Sequence, residues 1–352
     1  MIESESESDD EDEGGQDDDE QDDDEEDDEP VDRLINAAEK GHRKRVLDLI
    51  VSGVDVNSKD GSGRTAFHQA AEHGHLELCK SLIFKGAQAS IRDLCGKIAL
   101  ECAAGEGHLQ VVMMLIFEYG QDSASGIRDD VNRALYYAAV GGHVELVSEM
   151  INKGGDPNFQ REGQWNALHR AAARGHKEVV CLLLDHGASL DAPGNVSKTA
   201  LYEAVANGHE SIVRYLLDKG AKVDLQGSGN AVLHAAVRRP KFSHSMFVLI
   251  LNQTTNKDVR NFSGESALHM AADIGHFEAV RGLCLNGAKI NIRREDGMTA
   301  LGIAEERAIA ARRDVLTVRR TGRRAIMQQY EAKDKSYQDI CNELRHWGGI
   351  NG

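Results

Sequence analysis

The chain has 352 residues and a formal charge of −17, but that charge is concentrated at one end. Residues 1–30 hold 20 Asp and Glu and no Lys or Arg, which leaves 38 of the 58 acids to set against 41 bases. The rest is therefore slightly basic, and no run of about 18 apolar residues is present to cross a membrane as a helix. Neither the 30-residue head nor a tail of about 50 residues is large enough to be expected as a catalytic domain of its own. The head has almost no apolar side chains, so ordering it would not offset lost chain entropy and like-charge repulsion; disorder is expected. Ser4, Ser6 and Ser8 each precede an acid by three residues, at Glu7, Asp9 and Glu11. That spacing resembles an acidophilic casein-kinase site, and the head is read either as such a phosphorylated segment or as a solubilising brush.

From Val31 the chain becomes periodic. Gly-His occurs seven times, with His at 42, 75, 108, 143, 176, 209 and 276; the intervals are 33, 33, 35, 33, 33 and 67, the last being two units with one degenerate turn. The unit from Gln164 to Asp191 shows the logic. Ala167 to Ala173 reads as a helix of small residues that lets a neighbour pack close, and Gly175 then breaks it in a conformation Gly adopts cheaply. Glu178 to Leu184 is apolar at helical spacing and stops at Gly187, which suits a left-handed cap. One such unit cannot bury its apolar face, whereas stacked units can. Ahead of the first helix stands a recurring signature: Thr65-Ala66-Phe67-His68, Asn166-Ala167-Leu168-His169 and Ser266-Ala267-Leu268-His269, with Thr199-Ala200-Leu201-Tyr202 and Ala231-Val232-Leu233-His234 as variants.

Period and signature together resemble the ankyrin repeat. The resemblance covers about Val31 to Leu301 and implies an all-α solenoid of about nine helix-turn-helix units joined by hairpin loops. The chain then divides into an acidic tail (1–30), ankyrin repeats (31–301) and a final repeat or basic helical extension (302–352). The first unit, with Arg43, Lys44 and Arg45 on its second helix, reads as a polar cap. The loop 120–126 is two residues longer than its counterparts, a natural protruding finger. The seventh unit has Arg239-Pro240 where Gly-His belongs and lacks the Gly-Ala cap after Leu251, so it is either the least stable unit or one remodelled for a partner. The ninth begins normally at Asp296 and then accumulates Arg307, Arg312, Arg313, Arg319, Arg320, Arg323 and Arg324. Because Ile340 to Gly348 resembles the end of a second ankyrin helix, this basic stretch is either an insertion within the final unit or one long helix past the stack.

Fifteen histidines invite a metal. Equivalent residues of stacked helices lie about 8 to 10 Å apart, however, while ligands of one zinc must lie about 3 to 4 Å from each other. No metal, cofactor or enzymatic activity is expected: there is no P-loop, HExxH or GxSxG, and Gly227-Ser228-Gly229 lacks the third glycine and the βαβ context of a dinucleotide site. In ankyrin proteins the signature His bonds backbone and the neighbouring Thr, a role carried onto His68, His169 and His269; at Glu101, Tyr136 and Gly302 that bond must be lost or replaced. Asn57 and Asn291 match hairpin asparagines that are hydroxylated in some ankyrin proteins, although turn geometry alone explains an Asn there. The six cysteines form no CxxC pair, and with no secretory-type N-terminus a reducing, cytoplasmic or nuclear setting is expected.

The resemblance implies protein binding through hairpin tips and the concave face made by first helices. Tip positions are Arg64, Lys97, Asn132, Trp165, Lys198, Asn230, Glu265 and Met298. Trp165, with Tyr137 one unit before and Arg174 in the same unit, is a candidate anchor of the types enriched in hot spots, unless Trp165 packs on a neighbouring hairpin instead. Arg238 and Arg239 extend the basic side, so that Arg64, Lys97, Tyr137, Trp165, Arg174, Lys198, Arg238 and Arg239 are the candidate contacts. The expected function is a non-enzymatic scaffold or adaptor with protein partners and no membrane. The alternative is a nuclear or chromatin-associated protein whose acidic tail binds basic proteins or whose basic C-terminal stretch binds nucleic acid. Nucleic acid is not expected as the main ligand, because the repeats lack a continuous basic stripe with interleaved aromatics.

Overall fold

The computed structural model describes residues 29–118, 126–161, 165–225, 231–238, 243–321 and 324–350. Among them the helices form nine pairs. The first four are α1 (Pro30–Glu39) with α2 (Arg43–Val51), α3 (Ala66–Glu72) with α4 (Leu76–Phe84), α5 (Ala99–Glu106) with α6 (Leu109–Met113), and α7 (Gly126–Gly141) with α8 (Val144–Asn152). There follow α9 (Ala167–Arg174) with α10 (Lys177–Asp185), α11 (Ala200–Asn207) with α12 (Glu210–Asp218), and α13 (Val232–Arg238) with α14 (His244–Gln253). The stack closes with α15 (Ala267–Ile274) and α16 (Phe277–Leu285), then α17 (Ala300–Thr321) and α18 (Arg324–His346). A π-helical turn, Met114–Glu118, prolongs α6. No strand is present among the described residues, and no helix there is long and apolar enough to cross a membrane.

Small residues recur at one position of each first helix and explain the close stacking. Ala37-Ala38, Ala70-Ala71, Ala103-Ala104, Ala138-Ala139, Ala171-Ala172, Ala204-Val205, Ala236-Val237 and Ala271-Ala272 are all buried. Second helices add the bulk, with Leu78, Leu82, Val180, Leu183, Leu216 and Leu283 buried behind them. One cluster runs unbroken from Leu34 to Leu344. The molecule is thus a single quasi-one-dimensional core in which each unit leans on its neighbours.

The Gly-His turn has a tertiary purpose that its helix-breaking chemistry does not reveal. Nε2 of His75, His108, His143, His176 and His209 donates to a main-chain carbonyl of the preceding unit: Glu39 (2.8 Å), Glu72 (2.8 Å), Gly105 (2.8 Å), Val140 (3.0 Å) and Ala173 (3.0 Å). Each ring lies flat against the preceding unit's turn glycine. At Gly142, for example, φ is +86° and an added Cβ would come within 2.4 Å of His176. Glycine is required there twice over, for its left-handed backbone and for the absence of a side chain. Gly187 has φ +89° but open space around it, so only the first reason applies.

The end of the stack resolves which arrangement the basic stretch takes. Tyr337 lies against Gly275, and its hydroxyl donates to Asp273 O at 2.9 Å, two residues before that glycine. This is the bond the turn histidines make, so Tyr337 occupies the place of the ninth unit's histidine. The 33-residue period would put it at 309, and it comes 28 residues later. The intervening chain lengthens both helices of the final pair into a hairpin. Its α17 arm runs about 20 Å past the usual turn at 1.5 Å per residue. Ala308, Ala311 and Val315 are buried between the arms, and Arg312 pairs with Asp334 at 3.4 Å.

Two further departures differ from the sequence reading. The residues just before repeat four do not form a tip like the others: α7 begins at Gly126, eight residues early, and Asn132 is buried within it, accepting from Asp156 N at 2.7 Å. Most of the loop 120–126 lies outside the described residues. In repeat seven Ala231 stands where five other units have Thr, Ser or Asn, and Nδ1 of buried His234 has no hydrogen-bond partner among the described residues. Helix α14 ends at Gln253 with Thr254 as its C-cap, and no glycine follows it as in the other units.

Candidate partner-binding surface

The signature histidines are structural. Nδ1 of His68 accepts from the Thr65 main chain at 3.2 Å and lies 2.9 Å from the Thr65 hydroxyl, while Nε2 donates to Lys97 O at 3.2 Å. His169 reaches Ala192 O at 3.0 Å and His269 reaches Ile292 O at 2.9 Å in the same way. Burial holds His68, His169, His234 and His269 below the usual histidine pKa, so these rings are neutral. Hairpin asparagines make a parallel ladder. Asn57 bonds Gly86 O (3.1 Å) and Gln88 N (2.9 Å), and Asn291 bonds Gly348 O (3.1 Å) and Ile350 N (2.8 Å). Asn158, which the signature does not single out, does the same with Gly187 and Ser189.

Where the signature fails, charge takes over. Glu101 replaces the histidine of repeat three and is fully buried, yet it lies 3.2 Å from Arg133 and 3.1 Å from Arg161. It also accepts from Ile98 N at 3.3 Å, so the lost cap is replaced. Arg161 crosses from the next hairpin, donates to the Tyr137 hydroxyl and stacks 5.0 Å from the centre of its ring. Burial, reinforced by the Glu101 carboxylate, pushes the Tyr137 phenol up to about 12, which keeps it neutral. In repeat four the histidine is replaced by Tyr136, whose hydroxyl accepts from Arg170 Nε at 2.7 Å.

These substitutions build a stripe across the concave side of repeats three to six. Lys97 lies 5.6 Å from the Tyr137 ring centre, Arg170 lies 4.9 Å from that of Trp165, and Lys198 lies 4.9 Å from that of Tyr202. Rings 5 to 6 Å from a cation attract it through their quadrupole. Trp165 packs edge-on to His169 at 5.6 Å, and Lys97, Tyr137, Trp165, Arg170, Lys198 and Tyr202 are all half-buried. Among the described residues, which leave out Glu162, no carboxylate forms an ion pair with Lys97, Arg170 or Lys198. Buried Glu203 has one oxygen without a hydrogen-bond partner among the described residues. Its pKa is raised by burial against the pull of Lys198 and Arg170.

The eight candidate contacts do not form one patch. The structure brings Lys97, Tyr137, Trp165 and Lys198 together. It adds Arg133, Arg161 and Arg170, which sequence reasoning missed because they act through partners one or two units away, and Tyr202, which pairs with Lys198 of its own unit. Trp165 is covered by Arg170 of its own unit, not by Arg174, which is exposed. Arg64 is engaged by both carboxylate oxygens of Glu72, with Asp93 3.8 Å away. Arg238 is exposed at the end of α13; Arg239, Ser4, Ser6 and Ser8 lie outside the described residues. On repeats one to three the concave side is instead an acidic groove, lined by Glu39, Arg64, Gln69, Glu72, His73, Glu106 and His108.

A search of the curated proteins returned no match. The family model for ankyrin repeats, built of three copies, matches in overlapping segments that together span residues 34–313. Those bounds enclose the paired helices from α1 into α17, including the Gly-His ladder and the signature histidines, and the chain belongs to the ankyrin-repeat family.

Proposed function

We propose that this ankyrin-repeat protein is a non-enzymatic scaffold or adaptor that holds a protein partner against the concave side of repeats three to six. Ankyrin repeats are generally protein-interaction modules. The observation supporting this location is the stripe itself: cations held over aromatic rings, half-desolvated and with no ion-paired carboxylate among the described residues, beside Trp165 and Tyr137. Aromatic and arginine side chains in such settings dominate interface energies. The exposed Arg174 and Arg238 extend the positive surface along the stack. Six free thiols, four of them buried, suit a reducing compartment, and we place the protein in the cytoplasm or nucleus. A reading centred on nucleic acid draws less support, because two of the seven arginines of the basic stretch are engaged by acids, Arg307 by Asp273 at 2.7 Å and Arg312 by Asp334 at 3.4 Å.

The test is affinity purification from native cells with the full chain, its Trp165→Ala variant and its Arg170→Ala variant, read by mass spectrometry. Loss of about 1 to 4 kcal/mol of binding energy at a hot spot removes specific partners while circular dichroism stays unchanged. Recovery of the same partners at the same yield by both variants overturns the location.

A further inference from the structure

The stripe is positive, elongated and furnished with rings, whereas the strongest acidic segment in the molecule is the chain's own head, with 19 Asp and Glu among residues 1–28. We infer that this head folds back in cis along the stripe of repeats three to six, with its carboxylates beside Lys97, Arg170 and Lys198, so that a partner must displace it. The inference rests on the stripe being the partner-binding surface.

Reach is adequate. The head leaves the fold at Glu29, just before α1. With units about 10 Å apart, the stripe begins roughly 20 Å and ends roughly 50 Å along the stack. A flexible 28-residue chain spans roughly 30 Å on root-mean-square average, and fully extended it covers up to about 95 Å. Self-repulsion favours the extended form, which suits a linear track. Affinity need not be high, because a tethered segment experiences an effective concentration in the millimolar range.

Location follows from charge. Closest to Glu29 the concave side is the acidic groove of Glu39, Glu72 and Glu106, which repels the head. The far end lies about 80 Å along the stack, well beyond the head's average span, and there Arg294 is engaged by Glu265 and Asp296, and Arg307 by Asp273. On the other side of the first unit, Arg43, Lys44 and Arg45 form a short cluster on α2. Three cations there can balance only the nearest few of 19 acids. The stripe combines several cations without acidic partners among the described residues and a length matched to the chain.

Zero-length carbodiimide coupling of amines to carboxylates tests this on the full chain, using an equal mixture of isotope-labelled and unlabelled protein. The expected products join the head peptide to Lys97 and Lys198 within one copy. Their yield falls at least about fivefold when salt is raised from about 0.05 to about 0.5 M, since exposed charges are then screened. Replacing Asp17, Asp18, Asp19, Asp22, Asp23 and Asp24 by Asn, which leaves every described residue unaltered in sequence, reduces both products; Arg170→Glu does the same while leaving both lysines in place. Products confined to Lys40 and Lys44, spread evenly over exposed lysines such as Lys85 and Lys289, or formed only between labelled and unlabelled copies overturn the inference. Partner capture that still depends on Trp165 in the absence of head products refutes the folded-back head alone. Head products at Lys97 and Lys198 with Trp165-independent capture refute the partner location instead.

Discussion

The middle of the stack and its flanks solve the same problem with different chemistry. In repeats two and eight the signature histidine caps its helix and ties it to the next hairpin, and nearby arginines meet carboxylates: Arg64 with Glu72, Arg294 with Glu265. In repeats three and four the histidine is gone. A buried Glu101 shared by two arginines and a Tyr136–Arg170 bond replace it. The flanks thereby neutralise their concave cations, while the centre orders them over rings and leaves Lys97, Arg170 and Lys198 without a described acidic partner. A family signature lost at a few positions is therefore informative: the residues that replace it support the helix and also create the surface.

The most disruptive way to break this comparison is to remove the central acid. Glu101→Ala leaves Arg133 and Arg161 facing each other without their carboxylate and is expected to cost about 2 to 4 kcal/mol. Arg307→Ala, which breaks an exposed flanking pair, should cost less than about 1 kcal/mol. Chemical denaturation of both variants checks the contrast, and equal losses would contradict it.

Acid should act first on the units that keep the signature histidine. His68, His169, His234 and His269 are held below their usual pKa of 6.5 by burial, so below about pH 6.5 the unfolded chain binds protons that the folded chain refuses. Stability then rises with pH through this range and is lost as pH falls. Glu203 works in the opposite direction, since its raised pKa favours the folded state at low pH and that benefit fades as pH rises above 4.5. Between about pH 7.5 and 5.5 the melting temperature is expected to fall by about 2 to 4 °C. Amide exchange should accelerate around His68 and His269 before it does around Glu101.

Smaller effects test the ends of the ladder. Tyr337→Phe removes only the hydroxyl bond to Asp273 O and should weaken the last unit by about 1 kcal/mol, seen as faster exchange in α17 and α18 with the centre unchanged. Ala231→Ser offers His234 the partner it lacks among the described residues and should stabilise by about 0.5 to 1 kcal/mol. A denaturation midpoint that does not rise would mean the Nδ1 atom is satisfied in solution by water.

Much of the architecture was legible because it repeats. A 33-residue period, Gly-His turns and an Ala-rich first helix each follow from local backbone and packing needs, so one unit predicts the next. Repeat four was misread at its hairpin because its extended helix turns the expected tip residue Asn132 inward, and no local pattern announces that. The site was legible only in part. Trp165, Tyr137, Lys97 and Lys198 stand out by type and position, whereas Arg161 and Arg170 matter through contacts 24 to 60 residues away.

By itself the sequence determined the family, the number and order of units, the acidic head and the structural use of His68, His169 and His269. All of these rest on short-range spacing that every unit states again. Only the tertiary structure decided that Tyr337 takes a histidine's place after a 28-residue insertion, that Glu101 is enclosed by two arginines, and which cations lack a described acidic partner. Ion pairing and burial depend on distances between units, and a count of charges along the chain contains no such distances.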